Sequence, residues 1–244
     1  MAYVRGDKAQ FDAWEELGNS GWNWKEILPY YKKVEKMLAP EPWQVELGAS
    51  VQPENHGFDG ELHVGFAITR QNSSFYRGVQ QSWANLGQVA NDDINSGTTR
   101  GFGVSPQTID PKLNQRWDSA TAFLWPIAGR PNLHLINGTA TRVVWSTDKG
   151  IGAGVHAEAS GVEYITPNKQ RRTILASREV VLSAGTFRTP LILERSGVGN
   201  PDLLKKLGIR PIVDLPGVGE NFVDQSNTPI VFMTKDNLHG GNPR

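Results

Sequence analysis

Apolar residues recur at helical spacing in the first third of the chain. Phe11, Trp14 and Leu17 lie three residues apart and predict a short amphipathic helix. A second helix is predicted after a tryptophan-containing turn, with an apolar stripe opposite a lysine-rich face. A third is predicted over residues 74–86, where aromatic and aliphatic side chains again share one face. Stretches rich in Pro, Gly and polar residues separate these helices and predict loops.

Alternating and β-branched stretches become frequent after residue 130. Hairpin signals separate them, which predicts closely spaced strands. The predicted strands are residues 133–136, 140–145, 152–157, 161–165 and 172–175. Further along, a short helix is predicted over residues 201–207 and another strand over residues 212–215. This part of the chain therefore combines hairpins with helices.

A strand, a turn of small residues and a helix are predicted in succession after residue 179. Residues 180–183 form a continuous apolar run, typical of a strand buried on both faces. Ala184 and Gly185 then remove side-chain bulk, and Gly185 can adopt a positive φ. Thr189 as N-cap and Pro190 as first helical residue predict the helix start. This order can place a nucleotide at a sheet edge, but many strand–turn–helix units share it.

The composition is that of a globular protein and favours no charged macromolecular partner. Hydrophobic residues make up 38% and charged residues 20% of the chain of 244 residues, with 25 basic and 25 acidic side chains. This balance predicts neither nucleic acid nor a membrane surface as a partner. No apolar run reaches the roughly 18 residues that a membrane-spanning helix needs. The absence of Cys excludes disulfides, thiolate catalysis and Cys-ligated metal.

Several polar residues could carry chemistry or could simply belong to turns. His56 is either a turn residue satisfied by backbone hydrogen bonds or a group near the substrate route, and the first interpretation is favoured. His63, on a predicted strand, is expected on the polar face. Asp92 and Asp93 are adjacent and lack the alternating spacing of a calcium loop, so a solvated loop is predicted. No metal site is predicted.

The strongest family resemblance lies in the strand–turn–helix stretch. Residues 185–199 resemble, nearly position for position, the second signature of the glucose-methanol-choline (GMC) flavoprotein oxidoreductases. The matching residues are Gly185, Thr186, Thr189, Pro190, Ser196, Gly197 and Gly199. Residues 3–35, 116–124 and 216–225 also resemble this family, in the family's order. The resemblance covers almost the whole chain and includes glucose oxidase-like, aryl-alcohol and choline-oxidising members.

The resemblance implies FAD as the cofactor. The implied cofactor-binding residues are Met1, Ala2, Ala140, Thr141, Ser183, Ala184, Gly185 and Asn221. The first two follow the pyrophosphate- and flavin-binding run of the family, and residues 183–185 would line the adenine side. Ala140 or Thr141 would offer its backbone to the adenine, and Asn221 would lie over the flavin.

The resemblance also implies the fold class, which is α/β with α+β elements. An incomplete Rossmann-like FAD-binding domain would be joined to part of an antiparallel-sheet substrate domain. The FAD domain would take residues of about 1–40 and 130–225, and the substrate domain about 41–129 and 226–244.

The implied chemistry is oxidation of a CH–OH group. In intact members of the family the flavin takes a hydride from an alcohol carbon, while a His near the C-terminus removes the hydroxyl proton. The five His of this chain match no catalytic position of the family, so no catalytic residue is nominated. The family's Gly-x-Gly-x-x-Gly turn would precede Met1. The expectation is a portion of an FAD-dependent alcohol or sugar oxidoreductase that is poorly stable and inactive alone.

Two alternatives to this enzyme portion stay open. The chain could be a non-catalytic flavin-binding remnant, or a structural or interaction module that reuses the fold. The expected partner is a small-molecule alcohol or sugar, with glucose, aryl alcohol and choline all open, and a homodimer is left open. Sequons at Asn72 and Asn137 favour an extracellular location, but the first ten residues do not resemble a signal peptide, so the compartment is undecided.

Overall fold

The computed structural model describes residues 2–67, 73–146 and 157–224. These residues form two compact units, one that extends to Leu133 and one that begins at His134. Each unit contains both helices and strands, in agreement with the mixed class that the sequence predicts. Within the described ranges, no helix is both long and apolar enough to cross a membrane.

The first unit opens with two capped helices. Helix α1 (Lys8–Glu16) begins with a capping box at Asp7. Helix α2 (Trp24–Val34) begins at Asn23, whose side-chain oxygen accepts a hydrogen bond from the first turn. Phe11 on α1 packs against aromatic rings of both helices. Both predicted helices are therefore confirmed.

Short strands and helices complete the first unit. Strands β1 (Glu35–Met37) and β2 (Leu62–Val64) pair in parallel, whereas β3 (Ile109–Asp110) and β4 (Gln115–Arg116) pair antiparallel. The helices are α3 (Pro42–Val45) and α4 (Ser73–Asn85), together with a π-helical turn at Ala120–Leu124. The main apolar cluster is formed by the buried Leu47, Ala49 and Phe66 with Trp43, Val51 and Val104 packed against them. The helix predicted over residues 74–86 is confirmed as α4.

A three-stranded antiparallel sheet organises the second unit. Its strands are β5 (Thr139–Trp145), β6 (Ala159–Ile165) and β7 (Arg171–Leu175), in the order β5-β6-β7. A tight turn joins β6 to β7, so these two strands are neighbours. Within the described residues, β5 and β7 are therefore the edges of this sheet. Helix α5 (Arg188–Arg195) packs on β5.

A second helix and two short strands follow α5. Strand β8 (Val198–Gly199) pairs in parallel with β9 (Val213–Asp214), and helix α6 (Pro201–Lys206) connects them. Asn200 caps α6 through its side chain, and Pro201 occupies the first helical position. The predicted helix over residues 201–207 and the strand near 212–215 are confirmed.

Three of the five closely spaced strands predicted after residue 130 are confirmed as β5, β6 and β7. The prediction for residues 133–136 is wrong: they form no strand, and Leu135 is 69% exposed. A strand needs a neighbour that accepts its backbone hydrogen bonds, and no described residue provides one here. Residues 152–156 of the remaining prediction lie outside the described residues.

The run at residues 180–183 is also not a strand in this structure. No described strand pairs with it, and Val181 is 73% exposed, whereas a strand buried on both faces needs neighbours and covering helices. The helix after it begins at Arg188, so Thr189 is not the N-cap. Instead the Thr189 hydroxyl accepts a hydrogen bond from the Ala184 N–H at 3.0 Å. The apolar pattern thus located the segment without fixing its pairing or the first residue of the helix.

The domain assignment stays a prediction. The first unit contains both residues 2–40 and residues 41–129, and the second unit begins at His134. The predicted FAD-domain segment of about 130–225 corresponds closely to the described part of the second unit. Residues 226–244 lie outside the described residues.

Candidate functional site

A cavity of about 650 Å³ lies in the second unit, between the edge strand β5 and helix α5. Its size is within the range of small-molecule sites. Residues 138–142 of the strand side form one wall, and Ala184 belongs to the turn before the helix. The remaining lining residues are Glu163, Ile165, Arg171, Arg188, Leu191, Ile192 and Arg195. Three of the residues predicted to bind the cofactor, Ala140, Thr141 and Ala184, are therefore brought together here.

Helix α5 presents an amphipathic face to this cavity. Arg188, Leu191, Ile192 and Arg195 follow the spacing of one helix face, so two apolar side chains lie between two guanidinium groups. In the described part of the chain, neither arginine of this face forms an ion pair. The face therefore offers an apolar surface between two positively charged side chains. Such a surface suits a flat, anionic ligand.

Strand β5 faces the cavity with a β-bulge. Ala140 pairs with Tyr164 and Arg142 pairs with Glu163, which leaves Thr141 between them without a partner. Bulges redirect side chains and local backbone, and they are frequent beside binding sites. Because β5 is also an edge strand among the described residues, its outer backbone groups are not all used by the sheet. One of these outer groups, the Val143 N–H, follows the bulge directly and donates to the Ser196 hydroxyl at 2.8 Å.

The buried Glu163 carboxylate organises the side chains beside the bulge. It accepts a hydrogen bond from the Thr141 hydroxyl at 2.8 Å, and it pairs with Arg142 at 3.2 Å and Arg171 at 3.4 Å. The hydrogen bond from Thr141, together with the two guanidinium groups, lowers the pKa of Glu163 below its ordinary value. Glu163 is therefore ionised at neutral pH and offsets part of the positive charge of the cavity.

The turn between residues 183 and 187 is shaped by one glycine. Gly185 has φ +83°, and a Cβ built there would meet no atom within 4 Å, so the backbone conformation, not a steric contact, favours Gly. The Gly185 carbonyl accepts from the N–H groups of Arg188 and Thr189, which starts α5. Ser183 is exposed and does not line the cavity, unlike its neighbour Ala184.

Asn221 lies in the same unit, beside the turn before α5 and outside the cavity wall. It adopts the left-handed conformation with φ +52°, which Asn tolerates better than most residues. The next residue, Phe222, packs on Phe187 with ring centroids 5.2 Å apart. The structure therefore brings the Asn221 segment close to the turn that contains Gly185.

The two N-terminal residues of the predicted site stand apart from this description. Ala2 belongs to the first unit, where it forms an isolated antiparallel bridge with Gln107. Met1 lies outside the described residues. Their predicted contact with FAD stays a prediction.

The second-unit cavity fits the adenine part of FAD. The small side chains of Ala140 and Ala184 leave room for a ring, and the aliphatic pair on α5 offers it an apolar surface. Edge-strand backbone can donate and accept the hydrogen bonds of an adenine. The unpaired guanidinium groups suit the anionic part of a dinucleotide. A second cavity of about 650 Å³, in the first unit around Trp43 and Phe66, contains none of the predicted site residues.

A buried ionic cluster in the first unit was not predicted. Arg5 pairs with Glu35 at 2.8 Å, and the ring nitrogens of His56 lie 2.8 Å from Glu35 Oε1 and 2.9 Å from Asp93 Oδ2. All four side chains are buried, and Asn95 accepts the Arg5 backbone N–H. Four segments distant in sequence are thereby joined.

This cluster corrects two interpretations. His56 is satisfied by carboxylates and not by backbone groups, and Asp93 is buried and not part of a solvated loop. Burial opposes the charge of His56, but the hydrogen bonds to Asp93 and Glu35 outweigh it and raise the His56 pKa. Burial likewise opposes the charge of Asp93, and the bonds from His56 and the Asn95 N–H lower its pKa overall.

The second histidine of the first unit, His63, is half-buried. Its ring stacks on Trp117 with centroids 4.0 Å apart, and Nδ1 lies 3.0 Å from Asp110 Oδ2. His63 is thus held by a ring and a carboxylate. Among the described residues, no group of three His, Asp or Glu side chains could hold a metal ion.

Comparison with known proteins decides the family. A family model described as GMC oxidoreductase matches residues 1–227. The chain belongs to the GMC oxidoreductase family. The resemblance drawn from the signature around Gly185 is therefore confirmed.

Relatives of this GMC chain have names that refer to different activities. It is 44% identical to the glucose oxidase-like protein fsoC of Humicola fuscoatra, over 99% of the chain and 43% of that protein. It is 36% identical to the oxygen-dependent choline dehydrogenase of Rhizobium rhizogenes, over 92% of the chain and 36% of that protein. The chain thus spans about two fifths of the length of these relatives.

Solved structures confirm the fold class of this GMC chain. An FAD-dependent oxidoreductase from Chaetomium thermophilum matches with a TM-score of 0.76 and 30% identity, over 89% of the chain and 36% of that structure. A formate oxidase matches with a TM-score of 0.75 and 27% identity, over 90% of the chain and 35% of that structure. The fold is therefore that of part of a GMC oxidoreductase.

Proposed function

We propose that this chain forms the adenine side of an FAD site in an oxidoreductase that acts on the CH–OH group of an alcohol or sugar. The observation that carries the proposal is the meeting of Ala140, Thr141 and Ala184 at one cavity. These residues come from two segments more than 40 positions apart, and the family resemblance implied adenine contacts for both. The names of the glucose oxidase-like and choline dehydrogenase relatives support an alcohol or sugar as substrate.

The residues of this chain bind and orient the cofactor in this proposal. The edge of β5 would hydrogen-bond the adenine, and the aliphatic face of α5 would cover it. Arg188 and Arg195 would favour the negatively charged part of the dinucleotide. When bound, FAD supplies hydride acceptance from the alcohol carbon. No residue of this chain is proposed as the catalytic base.

The enzyme as a whole is also a proposal, because the chain spans about two fifths of the relatives' length. We propose that the activity belongs to a longer protein of which this chain is a portion. A non-catalytic flavin-binding remnant would retain flavin and show no turnover. A structural module that reuses the fold would retain no flavin.

Filling the cavity tests the proposal. Ala184→Leu places a larger side chain at the cavity wall. We expect the Kd of FAD to rise about tenfold or more, equivalent to a loss of roughly 1.4 kcal/mol of binding free energy. The measurement is the visible flavin spectrum of the purified protein after desalting, followed by titration of the apoprotein with FAD. Ser177→Leu, at an exposed bend of the same unit, is the matched control.

Two outcomes would contradict the proposal. The unaltered protein could fail to take up FAD after removal and re-addition of the cofactor. Alternatively, Ala184→Leu and Ser177→Leu could bind FAD equally well, which would place the adenine elsewhere. If FAD binds as proposed, a panel of alcohols and sugars, assayed with the flavin-loaded longer protein, identifies the substrate class.

Assembly and location stay proposals as well. A homodimer would be tested by light scattering of the eluting protein. An extracellular location would be tested at Asn137, which is exposed in the structure, by the mass change after enzymatic removal of N-linked glycans. Asn72 lies outside the described residues.

A further inference from the structure

The β-bulge at the cavity is held by a side-chain hydroxyl. The Thr141 hydroxyl donates toward the Glu163 backbone carbonyl, at 3.0 Å, and toward its carboxylate, at 2.8 Å. An extra residue in one strand disrupts the local ladder. The Thr141 hydroxyl links the bulged residue to the residue of β6 that it faces.

Glu163 holds both bulged residues at once. Thr141 and Arg142 oppose this single residue of β6, and the side chains of both reach its carboxylate. Arg171 on β7 reaches the same carboxylate from the other side, at 3.4 Å. Because Glu163 is buried, it has little freedom to move away from these partners. The bulge is thus fixed from three strands.

The conformation of β5 decides which side chains line the cavity. A shift of one position along a strand turns its side chains to the opposite face of the sheet. Residues 138–142 all line the cavity in the bulged arrangement, including neighbours that would alternate between faces in a regular strand. The bulge is therefore part of the cavity wall and not a remote irregularity.

We propose that Thr141 and Glu163 are positioning residues, which fix the bulged edge of β5 in the shape that receives the adenine of FAD. The inference rests on the proposed function. The inference adds two side chains, the Thr141 hydroxyl on β5 and the Glu163 carboxylate on β6. They affect the cofactor indirectly, because they hold the backbone of β5 in place.

The same pair of strands contains a built-in control. A second irregularity leaves Ser160 of β6 without a partner, between the pairs formed by Val144 and Trp145. The Ser160 hydroxyl donates to the Val144 carbonyl at 3.1 Å, so it repeats the local chemistry of Thr141. Neither Ser160 nor Val144 lines the cavity. Removal of the Ser160 hydroxyl should therefore weaken the sheet without changing the wall of the cavity formed by residues 138–142.

The experiment compares four variants of the purified protein, with FAD affinity and apoprotein thermal stability measured for each. Thr141→Val removes the hydroxyl at nearly constant shape, and we expect the FAD Kd to rise about three- to tenfold, as for one lost buried hydrogen bond. Thr141→Ser keeps the hydroxyl and should restore the Kd to within about twofold. Glu163→Gln keeps an acceptor for Thr141 but loses the ion pairs with Arg142 and Arg171. Measured at high salt, where the added positive charge of the cavity is screened, this variant should show an intermediate rise in the FAD Kd. Ser160→Ala should leave the Kd within about twofold of the original value while it lowers the thermal midpoint.

The outcomes separate this inference from the proposed function. If the unaltered protein binds no FAD, both fall. If it binds FAD and Thr141→Val affects the Kd no more than Ser160→Ala does, only the positioning role falls. Should Thr141→Val not fold, Glu163→Gln decides: an FAD Kd equal to that of Ser160→Ala would overturn the proposal, and a larger one would support it.

Discussion

The surroundings of His56 in the first unit favour its positively charged form. Both of its ring nitrogens lie within hydrogen-bond distance of a carboxylate oxygen, at 2.8 and 2.9 Å. A neutral imidazole has only one N–H, so its other nitrogen would turn a lone pair toward a carboxylate. The imidazolium form satisfies both contacts. Together with Arg5, it balances the charges of Glu35 and Asp93 in a buried cluster without net charge.

The stability of the protein should therefore depend on the protonation of His56. Its pKa is raised in the folded state above the ordinary value of 6.5. The stabilisation is fully present below pH 6.5 and is lost as the pH rises through the folded-state pKa of His56. We expect the unfolding free energy from urea denaturation to fall across this window. His56→Gln should remove this pH dependence and destabilise the protein by about 3 kcal/mol, as expected when a buried ion pair loses one partner.

An exposed histidine provides the control for this prediction. His134→Gln changes the same residue type at an exposed position of the second unit, and it should leave the alkaline loss of stability in place. If His56→Gln shows the same pH profile as the unaltered protein, His56 is not the titrating group. The sequence pattern could place His56 in a turn. The carboxylates that stabilise its protonated form, however, come from segments 21 and 37 residues away.

At the scale of helices and strands, local signals located most elements. Asn23 and Asn200 cap the helices that follow them, and each cap acts within a few residues along the chain. Pairing was less predictable, because the run at residues 180–183 has strand composition but no described neighbour. The bulge at Thr141 could not be predicted either, because it depends on the register of β5 against β6. The face formed by Arg188 and Arg195 was not predicted either, because the helix was predicted to start at Thr189, one residue after Arg188.

The cap of α6 gives a prediction at this scale. The Asn200 side chain accepts from the backbone N–H groups of Asp202 and Leu203, at 2.9 and 3.3 Å. Asn200→Ala should lower the unfolding free energy by about 1 kcal/mol, because these N–H groups lose their acceptor. Asn200→Asp keeps an acceptor and should lie within a few tenths of a kcal/mol of the original protein. Equal urea denaturation midpoints for all three proteins would contradict the role of the cap.

At the scale of the whole molecule, the chain has no excess charge, whereas its cavity does. The 25 basic and 25 acidic side chains balance, but the cavity wall contains four arginines and one glutamate. Net charge therefore does not reveal the anionic ligand that the cavity suits. The attraction should be local, and salt should screen it.

Salt dependence of FAD binding tests this local charge. Between about 0.01 and 0.15 M salt the screening length shortens from about 30 to about 8 Å, so the FAD Kd should rise. The double variant Arg188→Gln with Arg195→Gln should flatten this dependence and weaken binding at low salt. Lys205→Gln with Lys206→Gln makes the same charge change on α6, away from the cavity wall, and is the matched control. A salt dependence that is equal in both double variants would show that net charge, not the arginine face, is responsible.

The sequence by itself determined the family, the helices with local caps and the strands with alternating pattern. These features depend on neighbours in the chain or on a motif with many fixed positions, such as the one at residues 185–199. Only the tertiary structure showed that Ala140, Thr141 and Ala184 share one cavity and that Glu163 fixes the bulge. It alone also showed that His56 is buried between two carboxylates. Cavities, bulge registers and buried ion clusters are contacts between distant segments, and no local pattern encodes them.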